Sequence, residues 1–166
     1  MKKIIPLLFF ITLFIFYLNS DSLIIPSTAI RLRIIANSNR EEDQNIKKEL
    51  KNKITPIIDE LMSNAHSSKE AISILNDNKH LFQKIIDENH LDASISIGEN
   101  YFPPKEYLGF NIPAGYYESM VITIGKGLGD NWWCVMYPPL CLIENEKKDN
   151  IDYHFLIKDI INKHQS

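Results

Sequence analysis

The hydrophobic pattern of this chain changes period near Asp92, and that change limits the folds open to it. Before Asp92, Ile46, Leu50, Ile54, Ile57, Ile58, Leu61 and Met62 recur at helical spacing. Ile72 and Leu75, then Leu81, Phe82, Ile85 and Ile86, continue that pattern to Asn89. After Asp92 the period is two. Ala93, Ile95 and Ile97 alternate with Ser94 and Ser96, and Met120, Ile122 and Ile124 alternate with Val121 and Thr123. Ahead of the helical stretch, residues 29–38 also alternate: Ile30, Leu32 and Ile34 point one way, and Arg31, Arg33 and Ile35 the other. The order predicts an α+β fold: an N-terminal strand, a helical pair or triple over residues 41–90, then an antiparallel strand run, with the helices packed on one sheet face.

Local signals set the expected boundaries. Ser38-x-x-Glu41, or Asn39-x-x-Glu42 one residue on, reads as a capping box for the first helix. Pro56 inside that helix is expected to kink or split it. Ser67 or Ser68 can cap a second helix, Asn76-Asp77-Asn78 breaks it, and Asn89 suits a left-handed helix end. Residues 102–107, FPPKEY, form a proline-ruled bend before a short strand over Leu108–Ile112. Pro113-Ala114-Gly115 is a turn, Gly125–Asn131 a hairpin loop, and Trp132–Tyr137 the return strand. A polar tail over residues 145–166 carries an amphipathic piece from Tyr153 to Ile161, read as a small surface helix.

The first 22 residues read as a secretory signal. Lys2 and Lys3 precede an uncharged stretch over residues 4–18, and a polar step-down follows. Fifteen apolar residues are short for a span, which needs roughly 20. Ser20 and Ser22 suit cleavage after Ser22, and Ser27 and Ala29 allow a second site farther from the apolar stretch; an uncleaved anchor is the alternative. Residues 23–144 are then one extracytoplasmic domain. Setting Lys2 and Lys3 aside takes the 18 basic residues to 16, against 21 acidic, a net charge of −5. That balance argues against nucleic acid and gives no support for adhesion to an anionic lipid surface, leaving the signal segment as the membrane contact.

The richest stretch is NWWCVMYPPLC, Asn131–Cys141, which holds both tryptophans and both cysteines. Cysteines of an exported domain are usually paired, so a Cys134–Cys141 disulfide is expected, with two buried free thiols as the alternative. Such a ring adds about 2–3 kcal/mol by the loop formula. Trp132 and Trp133 are adjacent in a strand and face opposite ways. One fills the core; the other is exposed on the outer face with Val135 and Tyr137, or lies under a second layer. Pro138-Pro139 ends the strand and turns the chain back toward Cys134. The corner suits a recognition surface better than an active site. GKGLGDN lacks the order of a phosphate-binding loop. The five histidines show no metal-ligand spacing, and no cofactor or metal is expected.

These same stretches carry a family resemblance. IRLRIIANS at 30–38, FPPKEY at 102–107, PAGYYE at 113–118 and IGKGLGDNWWCVMYPPLC at 124–141 resemble the stage II sporulation protein R family. Pro104 and Tyr137 depart from its usual pattern. The resemblance implies a secreted signal rather than an enzyme. It would be made in the forespore and exported into the intermembrane space. There it would activate a mother-cell membrane protease that processes the sigma-E precursor. The expected contact surface is the corner with Asn131, Trp132, Trp133 and Tyr137, together with Gly127 and Gly129 of the adjoining loop. Arg31, Arg33 and Asn37 near the first strand are further candidates. A secreted cell-wall hydrolase and a wall-binding module are the readings from other classes.

Overall fold

The computed structural model describes residues 28–107, 110–141 and 159–160. The secretory segment, Leu108 and most of the polar tail lie outside the described residues. The chain runs β1 (Ile30–Ile35), α1 (Glu41–Ser63), α2 (Ser68–Asp77), α3 (Lys79–Glu88), β2 (Ala93–Phe102), β3 (Lys105–Tyr107), β4 (Phe110–Ile112), β5 (Gly115–Ile124) and β6 (Asn131–Tyr137). A strand, three helices and a run of strands is the α+β order that the two periods predict.

Four strands form one sheet in the order β2-β5-β1-β6, and β3 pairs with β4 in a separate ribbon. β2 is antiparallel to β5 over their full length. β1 enters between β5 and β6, parallel to β5 and antiparallel to β6. The sheet is therefore mixed. The connection over residues 125–130 is not a hairpin loop, because β1 separates the two strands that it joins. Apolar alternation shows that β1 has a buried side; it carries no information on which strands flank it.

The helices cover one face. Leu32 pairs with Met120 and Cys134, and Ile34 with Ile122 and Trp132, so these residues share a side. Leu32, Ile34, Met120 and Ile122 are fully buried with Leu50, Ile54, Ile58 and Met62 of α1, Leu75 of α2, and Phe82 and Ile86 of α3. The helical spacing of these residues is thus the stripe that docks on the sheet. α1 continues through Pro56 as one helix. Proline removes one backbone hydrogen bond, while Ile54 and Ile58 on either side of it stay fully buried and hold the helix to the core. Ile160, in a helical pair of residues with Asp159, packs against the same core.

Two helix ends differ from expectation. Arg40 is the N-cap of α1 and makes no side-chain capping bond. Asn37 and Ser38 instead donate to Asp43 in the first turn, the Asn37 bond at 3.1 Å. At the end of α3, Asn89 has φ −96°, and His90 takes the left-handed conformation at φ 51°. Ser67 caps α2 by accepting from the Glu70 N–H at 3.2 Å, and Glu70 accepts from the His66 N–H at 2.9 Å. That reciprocal arrangement resembles a capping box.

Candidate partner-binding face

The sheet face turned away from the helices is the unusual part of the molecule. Arg31 pairs with Ser119 and Val135, and Arg33 with Val121 and Trp133, so both arginines share this side. Phe102 of edge strand β2 lies 6.4 Å, ring to ring, from Trp133 of the opposite edge strand β6. Two strands lie between them, a separation of about 14 Å in a flat sheet. The sheet is therefore curled, and this face is its concave side. Phe102 also meets Tyr117 edge-on at 6.2 Å. Lys105, at the start of the β3–β4 ribbon, brings its ammonium 5.6 Å from the Trp133 ring.

Arg31 sits at the bottom of this aromatic lining. Its guanidinium stacks over Tyr117 at 3.1 Å and lies 5.8 Å from Phe102. Arg31 is only 2% exposed, and its Nε and Nη1 have no hydrogen-bond partner among the described residues. Arg33 is half-buried, 5.6 Å from Phe102. Its Nη1 donates to the Tyr101 carbonyl at 3.1 Å, while its Nε has no partner. Among the described residues neither arginine has a carboxylate within ion-pair distance. Burial lowers the pKa of both guanidiniums; for Arg31 a hydrogen bond and charge interaction with the Tyr117 hydroxyl partly oppose that. Desolvation on that scale disfavours a charge that nothing neutralises.

The other candidates divide. Trp133 is buried at 4% exposure under Phe102, so it belongs to this lining. Trp132 faces the helices, half-buried, with the Lys51 ammonium 4.6 Å from its ring. A second layer thus covers both rings, the helices on one side and the curled sheet edge on the other. Tyr137 is buried. A bulge in β6 sets it opposite Ile30, so it does not continue the row of Trp133 and Val135. Asn131 opens β6 opposite Ile35. Cys134 and Cys141 form a disulfide with Cα atoms 5.2 Å apart, closing the corner after β6.

The glycine-rich loop is fastened to the end of β1 rather than presented to solvent as a unit. The Leu128 N–H donates to the Asn37 carbonyl at 3.1 Å, and the Gly129 N–H to the Ala36 carbonyl at 2.9 Å. The Asn37 side chain accepts from the Lys126 N–H at 3.0 Å, and Asn39 from the Asp130 N–H at 2.6 Å. Lys47 of α1 donates to the Asp130 carbonyl at 2.8 Å. A Cβ on Gly129 would lie 2.6 Å from the Ser38 carbonyl carbon, so no side chain fits. Gly127 takes φ +62° in the turn after β5. Asn37, Gly127 and Gly129 therefore have clear structural work. Leu128 at the loop tip is 77% exposed.

Sequence reasoning singled out Arg31, Arg33 and Trp133 but not Phe102, Tyr117 or Lys105, which complete the face. All three lie in FPPKEY or PAGYYE, so the signal was present as motif and absent as geometry. Among the described residues no group of three or more His, Cys, Asp or Glu side chains is placed to hold a metal ion. No helix among them is long and apolar enough to cross a membrane.

Comparison with known proteins agrees with these motifs. The family model described as Stage II sporulation protein R matches residues 26–147. The Stage II sporulation protein R of Bacillus subtilis (strain 168) is 35% identical over 131 residues, covering 75% of this chain. The match spans 58% of that relative's length. No solved structure matches the chain. The chain belongs to the stage II sporulation protein R family.

Proposed function

We propose that this member of the family is a secreted sporulation signal and not an enzyme. It is exported from the forespore, binds the extracytoplasmic side of a membrane-embedded protease of the mother cell, and promotes processing of the sigma-E precursor. The observation that carries this reading is the family match over residues 26–147, which takes in every strand and helix from β1 to β6. The basic, then apolar, start of the chain supports export. A ligand of this kind activates only by binding the active state of the protease more tightly than the inactive one.

The test is reconstitution in a non-sporulating bacterium. The chain is expressed with the candidate protease and the sigma precursor, with and without residues 1–22, and the precursor is followed by immunoblot. Processing only with the exported form is the expected result. Equal processing without residues 1–22, or none with a folded and exported chain, overturns the reading.

A further inference from the structure

The geometry points to the concave face of the sheet as a carboxylate receptor, with Arg33 as its more exposed guanidinium, Arg31 as the buried charge beneath it, and Phe102, Tyr117 and Trp133 as its walls. The occupant is an acidic group of a polypeptide partner. The inference rests on the signalling reading for which polypeptide that is, and on this face alone for the chemistry.

Three observations carry it. The first is the buried charge. A guanidinium taken out of water without a counter-anion is destabilising unless something compensates. Arg31 is 2% exposed, and two of its nitrogens have no partner among the described residues. Contact with Tyr117 compensates only in part, because it leaves the Nε and Nη1 donors unmet. The second is the pair. Arg33 projects from the same side of the same strand two residues on; the residue as a whole is half-buried, and its Nε is itself buried and also unmet. Two planar donor groups and the nearby Lys105 ammonium concentrate positive charge on one concave surface of an otherwise acidic chain. The third is the lining. Aromatic rings exclude water and hold the guanidinium planes in position, and a fixed planar fork matches a carboxylate in two parallel hydrogen bonds.

Two arms test this. In the first, a Trp132→Phe chain keeps Trp133 as its one tryptophan, and fluorescence is followed during titration. The titrants are N-acetylglutamate amide, which offers a side-chain carboxylate, N-acetylglycine, which offers a chain-terminal one, and sodium sulfate and sodium chloride at matched ionic strength. A saturable change with either carboxylate, absent with sulfate and chloride, is expected, and the stronger of the two identifies the source. Arg33→Gln should weaken that response by at least about tenfold, and Arg33→Lys should recover it only in part. No saturable change in the Trp132→Phe chain, or a response that sulfate reproduces, overturns the receptor. If Arg33→Gln does not fold, the selectivity among the four titrants still decides.

In the second arm, Arg33→Glu enters the processing assay after its thermal unfolding is shown to match wild type. Loss of processing is expected. Processing by wild type and Arg33→Glu alike overturns the receptor and leaves the signalling reading standing. No processing by wild type overturns the signalling reading, and the titration then decides the receptor by itself.

Discussion

Leu32 and Ile34 point from β1 toward the helices, and Arg31 and Arg33 point from the same strand the other way. On the helix side, Leu32, Ile34, Met120 and Ile122 are fully buried among apolar side chains. On the concave side, Arg31 and Ser119 are as deeply buried, and Arg31 has donors unmet. Burial of apolar surface accounts for the first face without any reference to function. It does not account for the second, where the same depth of burial takes in a charge. On the receptor proposal, the difference separates what folds the domain from what a partner would use, and substitutions on each face should behave accordingly.

The largest effect belongs to the helix side. Phe82 of α3 is fully buried in the core. Phe82→Ala should lower unfolding free energy by about 3–5 kcal/mol, from lost transfer energy and the cavity left behind. Chemical denaturation measures it. The carboxylate titration of the molecules still folded should be unchanged. A weakened titration at full folding would mean that the two faces are one cooperative unit and that the comparison is too simple.

Next comes the corner beyond β6. Cys134 pairs with Leu32, and its disulfide to Cys141 closes a short ring. Replacing both by alanine should lower stability by about 2–3 kcal/mol. The same loss should appear in wild type on addition of reductant, and reductant should then have no effect on the double variant. A reductant effect that persists in the double variant would contradict the assignment.

How far these features could be seen beforehand depends on their range along the chain. The helices and strands were legible because Ile54, Ile58, Phe82, Met120 and Ile122 announce their burial through local period. The Ser67 cap was legible for the same reason: its partner Glu70 is three residues away. The placement of β1 between β5 and β6 was not, since pairing over some ninety residues leaves no periodic trace. The start of α1 at residue 41 agrees with the sequence pattern, but its cap does not, because Asn37 and Ser38 reach Asp43 and leave Arg40 at the cap. Alternation puts Arg31 on the correct side of β1, opposite Leu32, but its burial there is not legible in the sequence. That side is ordinarily solvated in such a strand. Curling of the sheet then brought Phe102 and Tyr117 over it. The candidate face was thus legible as a set of motifs and illegible as a surface.

Asp59 of α1 is where the helix side departs from its own rule. It is half-buried with Oδ2 unpartnered, and burial raises its pKa from 3.8 to about 6. The folded state therefore binds the proton more tightly than the unfolded state. Below about pH 4 both states are protonated and Asp59 contributes nothing to the pH dependence. Between about pH 4 and 6 the unfolded state ionises first and stability falls. Above about pH 6 the loss is complete. At pH 7.5, Asp59→Asn should be more stable than wild type by on the order of 1–2 kcal/mol, a two-unit shift discounted for partial solvent screening. The gap should close as pH falls to about 4. A gap independent of pH would assign the effect to packing and not to charge.

The smallest expected change is the most discriminating. Arg31→Met replaces a buried guanidinium by an unbranched apolar side chain of similar reach. Were Arg31 a paired member of a second core, its removal would lower stability by about 3–5 kcal/mol, the loss typical of breaking a buried ion pair. Among the described residues it has no such pair, so the substitution relieves desolvation and forfeits a stack on Tyr117 of roughly 0.5–2 kcal/mol. The two nearly cancel, and unfolding free energy should move by less than about 1 kcal/mol in either direction. The Trp133 response to carboxylate should fall, because the charge beneath Arg33 is gone. A large loss of stability would make the concave face a core like the other, and the contrast between the two faces would fail. A small change with the response intact would instead leave Arg33 as the receptor by itself.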